Sequence, residues 1–126
     1  MRDLAWVLFR DADATPEAVR AVLSARFSVR DDGEGYLIDD GVLRVTNRDA
    51  AVTVEWIAKQ FEAFSTKAGA RRAKRLRDRG FDRCIQLAFP DLARSDSALI
   101  DAVHLSTTLT RGWSYFRWNG RYLTEP

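Results

Sequence analysis

One cysteine, one histidine and one methionine occur in 126 residues, and each scarcity removes a class of protein. Cys84 stands alone, so no internal disulfide can form, and a reducing compartment suits the chain. One Cys and one His cannot make a structural zinc site. The longest early apolar stretch, Leu4 to Phe9, spans six residues, too short for a signal-peptide core or a membrane span. A cytoplasmic protein with no membrane association is therefore expected. Seven glycines fall at turns and helix ends, with no glycine-rich phosphate loop and no low-complexity tract.

What is present suffices for a fold. Four Trp, three Tyr and seven Phe supply a core, and a chain of this length buries roughly two-thirds of its unfolded surface without staples. Leu4 to Phe9 reads as a buried strand because it is apolar without alternation. Thr15-Pro16-Glu17 is an N-cap, a first-turn proline and an early acid, and Val19, Val22, Leu23 and Phe27 follow at helical spacing. After the polar turn 31–35 the period changes to two. Tyr36 with Ile38, Leu43 with Val45, and Val52, Val54 and Trp56 predict a three-stranded antiparallel meander as the middle of the sheet. Ile57, Phe61, Phe64 and Ala68 predict a helix that Gly69 breaks. A second short helix from Ala70 to Arg79 has the seam Ala70, Ala73 and Leu76, and Gly80 suits its left-handed end with Phe81 packed back on Leu76. Phe81 to Phe89 alternates as a strand. Ser95-Asp96-Ser97 offers caps for a helix whose inward stripe is Leu99, Ala102, Val103, Ser106 and Thr110, widened by Leu105 and Leu109 and stopped by Gly112. Trp113 to Trp118, Asn119-Gly120 and Arg121 to Thr124 spell a two-residue hairpin. In it Trp118 would face Arg121 and Phe116 would face Leu123. The expected class is α+β: one two-layer domain over residues 1–126, with a mainly antiparallel sheet of six to seven strands, three to four helices and a C-terminal β-hairpin.

Charge is unevenly placed. Residues 1–66 carry 8 basic and 12 acidic side chains, residues 67–83 carry 8 and 2, and residues 84–126 carry 4 and 4. The whole positive excess thus falls on one helix and its flanks, and clustered charge favours an anionic partner. Arg71, Arg72, Lys74, Arg75, Arg77 and Arg79 line more than half its circumference. They suit an acidic protein surface or, alternatively, the phosphates of nucleic acid. The competing reading is a solvated helix whose arginines pair with the acidic turns of the same molecule. The terminal hairpin adds Arg117, Trp118 and Arg121, since aromatic residues with arginine are the composition of binding hot spots and equally of stabilising cross-strand pairs.

No catalytic pattern competes with these. Cys84 and His104 would need tertiary coincidence to form a nucleophile pair, and His104 points away from its helix stripe. Asp31, Asp32, Glu34, Asp39 and Asp40 crowd two turns without the ligand spacing of a calcium loop. Glu55 with Lys59 matches a nuclease-type acid and lysine loosely, straddling an expected strand-to-helix change. Neither an enzyme nor a cofactor is expected.

The segment Cys84-Ile85-Gln86-Leu87-Ala88-Phe89-Pro90-Asp91-Leu92, the helix from Ala98 to Thr110, then Gly112-Trp113 and Phe116-Arg117-Trp118-Asn119-Gly120, resembles small bacterial immunity proteins. Members of that class are encoded beside secreted polymorphic or contact-delivered toxins. The resemblance covers about residues 81 to 123. It implies stoichiometric blockade of a cognate toxin without a cofactor. The cationic helix departs from the acidic character common among immunity proteins of nucleases.

Overall fold

The structure, a computed structural model, describes residues 4–64, 66–90, 95–117 and 121–124. Strand β1 (Leu4–Phe9) is an interior strand buried on both faces, as its unbroken apolar run predicts. It lies in a seven-stranded sheet of order β2-β3-β4-β5-β1-β6-β7, formed with β2 (Val29–Asp31), β3 (Gly35–Ile38), β4 (Leu43–Arg48), β5 (Arg83–Ala88), β6 (Trp113–Phe116) and β7 (Arg121–Thr124). Every pairing is antiparallel. Successive side chains of a strand point to opposite faces, and β1 feeds two cores accordingly. Ala5, Val7 and Phe9 join Val19 and Leu23 of α1 (Pro16–Arg26) and Leu99, Ala102 and Val103 of α4 (Asp96–Thr110). Trp6 and Leu8 join Ile57 and Ala58 of α2 (Ala50–Glu62) and Ala73 and Leu76 of α3 (Lys67–Asp78).

The expected class is the observed one: a single α+β domain with, among the described residues, four helices on an antiparallel sheet whose last two strands, β6 and β7, pair antiparallel. The layering is richer than the two layers expected. Helices cover both faces of the sheet, because β1, β5 and β6 are apolar on both sides.

Local signals account for most boundaries. Thr15 accepts the Ala18 N–H at 3.1 Å and Pro16 opens α1. Ser95 caps α4 through the Ala98 N–H at 3.3 Å, and all five stripe residues of that helix are buried. Gly80 has φ +67, and Phe81 and Leu76 share one core cluster, as the expected helix ending requires.

Three expectations are corrected. Val52, Val54 and Trp56 belong to α2, not to a strand. Asp49 caps that helix by accepting the Val52 N–H at 2.9 Å, and burial of Ala50, Ile57 and Ala58 on one face overrides the β-branched residues around them. The meander instead consists of β2, β3 and β4, and it lies at one edge of the sheet, not in the middle as expected, because β5, β1 and β6 are the strands with apolar residues on both faces. Next, the break between the two helices falls before Thr66, which caps α3 by accepting the Gly69 N–H at 2.9 Å. Gly69 lies inside the helix, where an added Cβ would collide with the Phe61 carbonyl oxygen, so its role is close approach of α3 to α2. The α3 seam is Gly69, Ala73 and Leu76, Ala70 is exposed, and Phe64 is 76% exposed beyond the end of α2. Finally, the hairpin register differs. Tyr115 opposes Leu123 and Phe116 opposes Arg121, with a bulge between Tyr115 and Phe116 that shifts the pairing. The Asn119-Gly120 turn lies outside the described residues. Both faces of β6 are covered, with Trp113, Ser114 and Tyr115 all buried, because β6 pairs with β1 inside the sheet rather than forming a peripheral ribbon.

Candidate functional site

Helix α3 turns its small seam inward and its cations outward, but those cations do not form one free set. Arg77 is the most committed. Its guanidinium donates from Nε and Nη2 to Glu55 at 3.1 and 2.7 Å, and from Nη1 and Nη2 to Glu62 at 3.0 and 2.8 Å. Glu55 and Glu62 stand two turns apart on α2, so one arginine fastens two helices through paired forks. Hydrogen bonding to Arg77 holds both carboxyls below their ordinary range and raises the arginine. A carboxylate with a depressed folded pKa stabilises the fold above its unfolded value, and that contribution disappears as pH falls through the folded one. Arg77→Met is therefore expected to lower the melting temperature at neutral pH and low salt. The difference should shrink as pH falls below the ordinary glutamate value of about 4.3 and through the depressed folded one, and also with added salt. Equal losses at neutral and acid pH would exclude the ion triad.

Arg79 is also structural. Its guanidinium lies 5.2 Å from the centroid of Phe81 and 5.3 Å from that of Trp113, and its Nη2 reaches the Arg111 carbonyl oxygen at 3.5 Å. Lys74 donates to Asp78 at 2.6 Å one turn along the same helix. None of these ties runs to the acidic turns. Asp31 is paired with Arg20, and Asp32 accepts from the Gly35 N–H and from Arg44 Nε at 2.7 Å.

The remaining candidates converge. Arg72 lies 5.9 Å from the ring of Phe61, and Arg117 lies 5.4 Å from the ring of Trp56. Both rings meet Tyr115 edge-on at 6.0 Å, and Trp6 closes the cluster 5.3 Å from Trp56. Basic helix and hairpin, separate candidates in sequence, thus flank one aromatic cluster between α2 and β6. Arg71 stands on the outward face of α3, exposed, as does Arg75. Arg121 occupies the strand position opposite Phe116, and Trp118 lies outside the described residues. Trp56 and Phe61, half-buried on α2, were missed as site residues. Their spacing marks them as a helical pair only after residues 52–56 are taken as helix.

The chemistry weighed against this surface finds no support in the geometry. Cys84 is buried on the α2–α3 face, and burial pushes its thiol up to about 12. His104 is exposed on α4, across the sheet, so the two cannot meet. Glu55 and Lys59 both sit on α2, with Glu55 held by Arg77. Among the described residues no group of three or more His, Cys, Asp or Glu side chains is placed to hold a metal ion. Among the described residues no helix is long and apolar enough to cross a membrane. Comparison with protein-family models, with curated proteins and with solved structures finds no match.

Proposed function

We propose that this protein is a cytoplasmic, protein-binding inhibitor of the immunity or antitoxin type, which neutralises a cognate toxin by stoichiometric binding. The observation that carries the reading is the aromatic cluster of Phe61, Tyr115 and Trp56 flanked by Arg72 and Arg117, continuous with the outward cations of α3. Trp56 and Phe61, half-buried beside arginines and backed by the buried Tyr115, supply contact area at small entropic cost together with directional charge, the composition of interface hot spots. The partner surface is acidic, because α3 presents an excess of positive charge. Arg77 and Arg79 hold the helix in place and are not contact residues.

The test uses the product of the gene beside this one. Co-expression should relieve its toxicity, and calorimetry should give a one-to-one complex. Arg71→Glu with Arg72→Glu should weaken that complex at least tenfold, about 1.4 kcal/mol. Folding should be nearly unchanged, since exposed substitutions away from caps and core shift stability by about 0.5 kcal/mol each. Binding that survives the double reversal would remove α3 from the interface. Tight, salt-dependent binding of DNA or RNA by the wild type, lost in the same variant, would favour a nucleic-acid-binding accessory protein instead.

A further inference from the structure

Away from α2 and α3, the same face of the sheet carries the exposed residues Arg30 of β2 and Arg44 and Arg48 of β4. Antiparallel register puts Arg30 opposite Leu37 and Leu37 opposite Arg44, while Thr46 opposes Gln86 and Arg48 opposes Cys84. Directly opposed residues share a face. Three arginines scattered in sequence are thereby gathered on one side of the sheet. Beside them lies a pocket of about 230 Å³ whose walls include Arg44, Thr46, Arg48, Gln86, Ala88 and Glu34.

The polar groups of this pocket are mostly donors. Arg48 is exposed and makes no ion pair or hydrogen bond with a described residue. Thr46, 8% exposed, lines the pocket between Arg44 and Arg48 on the same strand face. Gln86 accepts the indole N–H of Trp6 at 3.1 Å, and an indole nitrogen can only donate, so the amide oxygen is consumed and the NH₂ group is left to donate. Asp32 engages Nε of Arg44, which orients that fork and leaves its outer nitrogens. Glu34 is the one carboxylate among these walls, and it is exposed. Solvated guanidinium and amide donors gathered in one concavity favour a ligand rich in acceptors, because their clustered charge and dipoles add at one place.

We infer that this pocket binds a small oxyanion, a phosphoryl or carboxylate group, between Arg48, Thr46 and the Gln86 amide. The volume suits one such group rather than a whole cofactor, for which pockets are larger, on the order of 300 Å³ or more. Guanidinium and amide donors match the planar fork of a carboxylate and the edge of a phosphate alike. The site is independent of the α3 surface, which lies over another part of the sheet.

The test is a titration of the ¹⁵N-labelled protein with inorganic phosphate and, separately, acetate, ionic strength being held constant with chloride. The expected result is a saturable shift of the Gln86 side-chain amide and the Arg48 Nε signal. Earlier saturation by phosphate identifies a phosphoryl ligand, and earlier saturation by acetate a carboxylate. Arg48→Gln should weaken binding at least tenfold with an unchanged melting temperature, and Glu34→Gln should tighten it. The Arg71→Glu, Arg72→Glu variant should bind as the wild type does, so this site stands or falls apart from the α3 surface. Shifts that fail to saturate with either anion, or that persist in Arg48→Gln, would overturn the assignment.

Discussion

Gly112→Ala is expected to destabilise the protein by about 3 kcal/mol or more, the upper range for forcing an extra carbon into a packed site. A Cβ at this position would collide with the Leu8 carbonyl oxygen and stand 2.9 Å from Thr110 Oγ1. Leu8 lies in the interior strand β1 and is held on both sides by β5 and β6, so its carbonyl cannot retreat without disturbing the ladder. The glycine is required by approach, not by conformation. The left-handed residue that ends α4 is Arg111, at φ 54. Gly80→Ala is the control. There a Cβ meets open space, and φ +67 alone imposes about 1 kcal/mol. Urea unfolding of both variants checks the contrast, and equal losses would show that the β1–β6 contact can relax.

Trp113→Ala is expected to cost about 3–5 kcal/mol, the usual range for emptying a buried aromatic site. Trp113 is 2% exposed, opposes Leu8 across the ladder, meets Phe81 edge-on at 5.8 Å and lies under Arg79 at 5.3 Å. Against a typical domain stability of about 5–15 kcal/mol, that loss leaves little margin. Trp113→Phe should be far milder, about 1 kcal/mol, because the buried indole N–H has no hydrogen-bond partner among the described residues. Replacing it by a phenyl ring removes an unsatisfied donor while keeping a ring beneath Arg79. Paired denaturation midpoints decide the matter. A Phe variant as unstable as the Ala variant would mean that the indole nitrogen contributes to stability after all.

Both positions show how much was legible before the structure. The glycine at 112 marked the end of α4 in sequence, but its physical reason is a carbonyl about a hundred residues away in the chain. Gly69 is similar, read as a helix break and used as a helix contact. Residues 52–56 alternate like a strand and fold as a helix, because Asp49 offers a cap and their helical neighbours Ala50, Ile57 and Ala58 find a buried face, while Val52 stays exposed. Propensity was outweighed by burial, which a local pattern does not contain.

For the surface, composition located the positive excess on α3 correctly and left its use open. Charge in sequence has quantity but no distance, and Coulomb interaction depends on distance. Folding placed Arg77 between Glu55 and Glu62, Arg79 over Phe81 and Trp113, and Arg72 and Arg117 at opposite sides of one aromatic cluster. It also gathered Arg30, Arg44 and Arg48, which no charge count along the chain would group. The sequence by itself determined the α+β class, the buried strand β1, the capped starts of α1 and α4, the left-handed Gly80 and the cationic character of α3, because each rests on neighbours within a few residues. Only the tertiary structure decided the two cores, the hairpin register and which arginines are free, because each depends on contacts between residues far apart in the chain.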